Sequence, residues 1–121
     1  MIQKMLWIAL AAIALLAGNA LAQNSGTVTI ALAARNSAFD RETITVPAGA
    51  RVIIHFENRD RIPHNVSVYE NGRAVKVIYY GRIINGLQDV QYEFTAPAQP
   101  GTHFFRCDLH PRGMIGDFVV E

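Results

Sequence analysis

Beyond its first two dozen residues, this chain places an apolar side chain at every second position in run after run, and that period restricts the fold more than any other feature. Val28, Ile30 and Leu32 share one face of their segment, and Ile44 and Val46 do so in the next. Val52, Ile54 and Phe56 follow, then Val66 and Val68, Tyr92 and Phe94, and Phe118 and Val120. A backbone whose successive side chains point to opposite faces is an extended strand, and a strand apolar on one face only is half-buried. Turn-formers separate the runs: Pro47-Ala48-Gly49, the polar stretch from Asn58 to Pro63, Glu70-Asn71-Gly72-Arg73, and the proline-rich link from Ala96 to Gly101. The Asn71-Gly72 pair is suited to the positive φ of a tight hairpin. Residues 82–88 read as a loop, and no segment of the domain carries a helical period. Short strands spaced by turns predict an all-β chain folded as an antiparallel sandwich or barrel.

The start of the chain is of another kind. Lys4 precedes an uncharged apolar run from Met5 to Gly18, and Ala20-Leu21-Ala22 then offers a small-x-small cleavage site. That is the order of a secretory signal peptide. The run is short of the ~20 residues a spanning helix needs. Residues 1–22 are therefore expected to be removed, with Gln23 as the new N-terminus and the periplasm or the cell exterior as the destination. Removing those 22 of the 121 residues leaves 99, enough for one small domain with a core. Of 11 Lys+Arg against 10 Asp+Glu in the whole chain, only Lys4 leaves with the leader, so the domain carries ten of each. With no block of like charge, it has no electrostatic footprint for nucleic acid or for an anionic membrane surface. It is expected to act as a monomer, with no stable membrane association once the leader is gone.

An exported domain with a single cysteine poses a chemical question, because one cysteine cannot close an internal disulfide. The thiol of Cys107 pairs with another chain, stays reactive, or binds a metal. Its setting is Phe105-Arg106-Cys107-Asp108-Leu109-His110-Pro111-Arg112-Gly113-Met114. Gly101 to Cys107 reads as a strand, with His103, Phe105 and Cys107 on one face, and Gly116 to Glu121 as the last strand. Residues 108–115 are then the loop joining them, so Cys107, His110 and Met114 converge. A fourth donor from elsewhere is His64, which follows the polar loop and opens the segment His64-Asn65-Val66-Ser67-Val68. By alternation it shares the inward face with Val66 and Val68, as a core histidine bonded to backbone or as a ligand.

Taken singly, each of these residues has a plainer use: a buried cysteine as a small hydrophobe, a methionine as a core plug, a histidine exposed on a loop. Taken together, two imidazoles, a thiolate and a thioether are the donor set of a blue-copper electron-transfer site, trigonal from two His and one Cys with a weak axial Met. Zinc would bind the first three, but a structural zinc site closes with a fourth strong ligand, and a thioether is a weak one.

With these residues in view, the domain resembles the cupredoxins, the small type 1 copper proteins such as plastocyanin, amicyanin and pseudoazurin. The likeness runs over nearly the whole domain, through "ITVPAGARVIIHFENRD", "PHNVSVY" and "YEFTAPAQPGTHFFRCDLHPRGMIGDFVV". The resemblance implies a Greek-key β-sandwich, one copper ion, and one-electron transfer between larger redox proteins. It implies that His64 is the first imidazole ligand, Cys107 the thiolate, His110 the second imidazole and Met114 the axial thioether. It further implies that Asn65 ties the two ligand-bearing segments together from the outer shell. The spacing from His110 to Met114 is shorter than in plastocyanin and longer than in amicyanin. His55, which alternates away from Ile54 and Phe56, is expected to face solvent. His103 lies near the site in sequence and matches no ligand.

The function expected is therefore single-electron carriage rather than enzymatic catalysis. The resemblance implies that His110 is the exit for the electron, and loop placement is expected to set Ile62, Pro63 and Pro111 around it as an apolar docking rim. The rival is a copper carrier or chaperone using the same ligands in a more open site. A copper enzyme of this group needs a second site with more histidines, and a hydrolase needs a third group to orient Cys107 and His110.

Overall fold

The computed structural model describes residues 26–121; the expected leader over residues 1–22 lies outside them. Nine strands and no helix make up the described residues: β1 (Thr27–Arg35), β2 (Ala38–Phe39), β3 (Thr43–Val46), β4 (Arg51–Asn58), β5 (Ser67–Tyr69), β6 (Val77–Tyr80), β7 (Asp89–Thr95), β8 (Gly101–Arg106) and β9 (Ile115–Val120). They form two sheets, ordered β2-β1-β4-β7 and β3-β9-β8-β5-β6. The two apolar faces meet as a β-sandwich.

The pairing is not wholly antiparallel, as the strand pattern had implied. β1 runs parallel to β4, with Val28 opposite Val52 and Leu32 opposite Phe56. β3 runs parallel to β9, with Ile44 opposite Phe118. Strands that are neighbours in sequence are joined by tight hairpins and must be antiparallel. Here β2 and β3 come between β1 and β4, so the chain has crossed to the second sheet and returned before the two pair. Alternation specifies which face of a strand is buried, and is silent on its partner and direction.

Two of the predicted turns form differently. Pro47-Ala48-Gly49-Ala50 closes with the Ala50 N–H donating to the Pro47 carbonyl (3.2 Å), and Gly49 takes φ 70°. This is a type II turn, whose third position needs positive φ. The β5–β6 connection, by contrast, is wider than a two-residue hairpin. The Glu70 N–H donates to the Lys76 carbonyl at 2.9 Å, and the left-handed residue is Ala74 (φ 52°) rather than Asn71 or Gly72. Asn71 instead accepts the Arg73 N–H on its side-chain oxygen at 3.0 Å.

The core is the sum of the alternating faces. Leu32, Ile44, Ile54, Phe56, Phe105 and Phe118 are essentially without exposure. Burying each such side chain contributes roughly 1.5–3 kcal/mol. Phe56 stacks on Tyr92 at 6.0 Å between ring centres, and Phe94 meets Phe118 at 5.8 Å. Gly116 is where β9 passes closest to its neighbours: a Cβ there would lie 2.3 Å from the Phe105 ring and 2.7 Å from the Glu42 carbonyl oxygen.

The sandwich is polar along its strand axis. The ends of β1, β4 and β8 and the starts of β5, β7 and β9 all lie at one end. That end also carries the three loops over residues 59–66, 81–88 and 107–114. His55 is exposed on the outer face of β4, as expected. His103 lies toward the other end, its Nδ1 3.1 Å from the Glu70 carbonyl. Four residues of strand, at ~3.3 Å each, carry it away from Cys107.

Candidate metal centre

Three donor atoms come together at the loop end. Cys107 Sγ lies 3.7 Å from His64 Nδ1 and 3.6 Å from His110 Nδ1, and all three atoms fall within 4.8 Å of one another. A point equidistant from a triangle of these dimensions is about 2–2.4 Å from each corner, the length of nitrogen and sulfur bonds to a first-row metal. Both rings present Nδ1 toward Cys107, their centres 4.9 Å apart and their planes at 62° to one another. Cys107 and His64 are fully buried, whereas His110 is only partly so.

The loop that carries two of these donors is a pair of linked turns. The His110 N–H donates to the Cys107 carbonyl at 3.1 Å, which folds the ring back over the end of β8. The Gly113 and Met114 N–H groups then both donate to the His110 carbonyl, at 3.3 and 3.0 Å. The Cys107 N–H closes the loop on the Met114 carbonyl at 2.9 Å. Met114 thus sits directly across from Cys107, and its side chain is fully buried.

His64 reaches the site by another route. The strand expected from His64 to Val68 is interrupted: His64 makes an isolated bridge to Ile84, with N–H and carbonyl exchanged at 3.1 and 2.9 Å, and the regular strand begins at Ser67. Every residue from His64 to Tyr69 is buried, on both faces. Asn58, itself buried, holds the two loops beside it by donating to the Ile62 carbonyl (2.8 Å) and the Asn85 carbonyl (3.2 Å).

Two carboxylates complete the arrangement, and neither was singled out from the sequence. Asp60 Oδ2 lies 2.8 Å from His64 Nε2. A carboxylate accepts, so Nε2 carries the proton, and the Nδ1 lone pair points at Cys107. Asp60 is itself held by the N–H groups of Asn36 (2.7 Å) and Ser37 (2.9 Å), which stand in a left-handed turn after β1 with φ 53° at both residues. Burial alone would push the Asp60 carboxyl up. The bonds from Ser37, His64 and Asn36 outweigh it and hold the group below its ordinary value.

Asp108 is the second. Its carboxylate accepts from Asn65 Nδ2 (2.7 Å), Ser67 Oγ (2.6 Å), Tyr69 Oη (2.5 Å) and Arg106 Nε (3.0 Å). Its backbone N–H donates to Asn65 Oδ1 at 2.7 Å. The Arg106 guanidinium also lies over the Tyr69 ring, 4.7 Å from its centre. Burial again pushes the carboxyl up, and the bonds from Ser67, Tyr69, Asn65 and Arg106 bring it below its usual value. Asn65 and Asp108 therefore lace the residue after His64 to the residue after Cys107. A question about what fixes the tautomer of His64 would have pointed to Asp60, four residues before it, since metal-bound imidazoles commonly donate to a carboxylate. Nothing comparable marks Asp108 in the sequence.

The donor set is soft sulfur plus imidazole, compact and largely dry. It suits copper or zinc and is unsuited to hard cations that prefer oxygen.

A family model described as a cupredoxin-like domain matches residues 6–120. Auracyanin-A of Chloroflexus aurantiacus is 30% identical over 125 residues, spanning 80% of this chain and 76% of that protein. The solved structure of auracyanin A, a "blue" copper protein of the same bacterium, superposes with a TM-score of 0.72 at 29% identity, covering 79% of this chain and all of that one. The dithionite-reduced auracyanin of Roseiflexus castenholzii gives 0.69 at 26% identity, covering 77% of this chain and 96% of that one. Amicyanin from Paracoccus versutus, at 20% identity and 0.55 over 77% of this chain and 81% of its own, shares the fold.

Proposed function

This chain belongs to the cupredoxin-like domain family, and from that premise we propose that it holds one copper ion and carries single electrons between redox proteins outside the cytoplasm. His64, Cys107, His110 and Met114 would hold the ion. The observation that carries this reading is the convergence of two Nδ1 atoms and one Sγ within 4.8 Å in a buried setting. Copper supplies the one-electron chemistry, because thiolate and thioether stabilise Cu(I) while imidazole suits both oxidation states.

The protein's part is to hold the donors still and to offer one way out. Asp60 fixes the ring and tautomer of His64. The bonds between Asn65 and Asp108 hold the Cys107 segment against β5. A set of donors tied to strand ends in this way changes little between oxidation states, which keeps reorganisation small. His110 is the one donor that is not fully buried, and Ile62, Pro63 and Pro111, exposed on the loops at the same end, form the apolar docking rim beside it. A protein that hands its copper on would need the ion accessible, yet two of the three converging donors are fully buried. Residues 1–22 act as a cleaved export leader, and residues 23–121 are the working domain.

Voltammetry of the copper-loaded protein with a competing chelator tests this. A reversible one-electron wave, with copper retained, is expected. An irreversible wave with rapid loss of copper to the chelator would assign the site to ion carriage instead. In Pro111→Glu, electron exchange with a protein partner should slow while the colour persists; unchanged exchange would remove Pro111 from the docking rim.

A further inference from the structure

The charges of this chain look scattered along its sequence, but the fold sorts them. Three loops share the end of the sandwich that carries the partly exposed ring of His110, and all their exposed charges are arginines. Arg61 stands three residues before His64, Arg82 two before its bridge partner Ile84, and Arg112 two after His110. Two or three residues of chain span at most about 7–10 Å, so each guanidinium is within reach of the rim. Arg59, also on these loops, turns back on Glu57 of β4 at 3.0 Å. Arg61, Arg82 and Arg112 have no carboxylate within 4.0 Å among the described residues. The acidic residues of the same loops, Asp60 and Asp108, are only 15% and 13% exposed and are engaged in the bonds described above. Glu57 and Asp89 are exposed but face one another across β4 and β7, off these loops. The same loops carry Ile62, Ile83 and Leu109, each 45% exposed and each within two residues along the chain of His64, Ile84 or His110, together with exposed Leu87.

We propose that this arginine-rimmed apolar face selects a redox partner whose docking surface is acidic, with Arg61, Arg82 and Arg112 steering the encounter and the apolar centre seating it over His110. The proposal rests on the electron-carrier reading and adds the sign of the partner's charge. Three cations against an anionic lipid surface contribute only about 1 kcal/mol each, too little to hold the domain on a membrane. The same charges raise encounter rates with an opposite charge by tenfold or more.

The test is stopped-flow reduction of the Cu(II)-loaded protein by hexacyanoferrate(II), an anion that gives up one electron to become hexacyanoferrate(III) as the copper becomes Cu(I). The rate should fall as salt is added. The triple variant Arg61→Glu/Arg82→Glu/Arg112→Glu should be at least about tenfold slower at low salt, with the salt dependence reversed. Arg73→Glu, on the connection at the opposite end, should behave as the parent. A parent rate indifferent to salt, or a salt dependence that survives the triple variant, would overturn the proposal. The neutral triple glutamine variant decides the matter equally well if the charge reversal does not fold, since it should lose the salt dependence. If the protein exchanges no electron at any salt, the carrier reading fails. The face is then judged by titration with redox-inert hexacyanocobaltate(III), read by NMR: saturable shifts at residues 61, 82 and 112 support it, and their absence overturns it. Co-sedimentation with phosphatidylserine vesicles, lost in the triple variant, would reassign the arginines to a lipid surface and also overturn it.

Discussion

Replacing Asn65 with alanine should cost the metal-free protein more stability than any exposed change at the loop end. Asn65 is completely buried. Its Nδ2 has two protons, and its two short contacts are Asp108 Oδ2 at 2.7 Å and the Gly81 carbonyl at 2.8 Å. The third contact, Ser67 Oγ at 3.2 Å, is the longest of them. Its Oδ1 takes the Asp108 N–H at 2.7 Å. Alanine strands the Gly81 carbonyl and the Asp108 N–H, and each buried group left unpaired costs ~1–3 kcal/mol. The Asp108 carboxylate loses one of four donors but keeps Ser67, Tyr69 and Arg106. The sum is about 4 kcal/mol. For a domain of this size, each kcal/mol lowers Tm by ~4–8 °C, so a loss of ~15 °C or more is expected in thermal unfolding followed by circular dichroism without metal. Copper binds only the folded state and should recover part of the loss. Ser67→Ala, which leaves the Asn65 lacing in place, should cost ~1 kcal/mol. A Tm loss below ~4 °C for Asn65→Ala, equivalent to ~1 kcal/mol, would show that the lacing between β5 and the Cys107 loop does not hold the site.

Three further outcomes are expected. Asp60→Asn should weaken copper affinity by ~10–100-fold, as outer-shell partners of ligating histidines do; competition titration with a chelator reads it, and unchanged affinity would free His64 from dependence on Asp60. Met114→Gln should keep its copper and lower the reduction potential, because an oxygen donor favours Cu(II) where a thioether favours Cu(I); voltammetry showing no shift would remove Met114 from the axial position. Gly116→Ala should destabilise by ~1–3 kcal/mol through overpacking against the Phe105 ring and the Glu42 carbonyl; denaturant unfolding with an unchanged midpoint would refute it.

How far the fold could be read in advance depended on what each residue touches. Strands with one dry and one wet face, such as β4 and β9, were legible, because Val52, Ile54 and Phe56 alternate with exposed Arg51, His55 and Glu57. The stretch from His64 to Tyr69 was legible on one face only: His64, Val66 and Val68 are buried as their alternation predicts, but Asn65, Ser67 and Tyr69 are buried as well, under Asp108. The parallel pairs were hidden, since a strand's pattern does not name its neighbour. Cys107, His110 and Met114 lie within eight residues and could be seen to converge; His64 needed the resemblance and its inward phase. Asp60 and Asp108 look like ordinary solvated loop charges until the fold brings Asn36 and Ser37 to one, and Tyr69 to the other, from far along the chain. The arginine rim was equally unreadable, because its members are about twenty to thirty residues apart and only the three loops gather them.

Whether Cys107 binds copper as a thiolate is decided by the visible and EPR spectra of the purified protein loaded with Cu(II). An intense thiolate-to-copper charge-transfer colour with a narrow copper hyperfine splitting is expected, and it should be lost in Cys107→Ser. A pale protein with an ordinary Cu(II) EPR signal would mean that Cys107 does not bind the metal, and the type 1 copper site would be refuted.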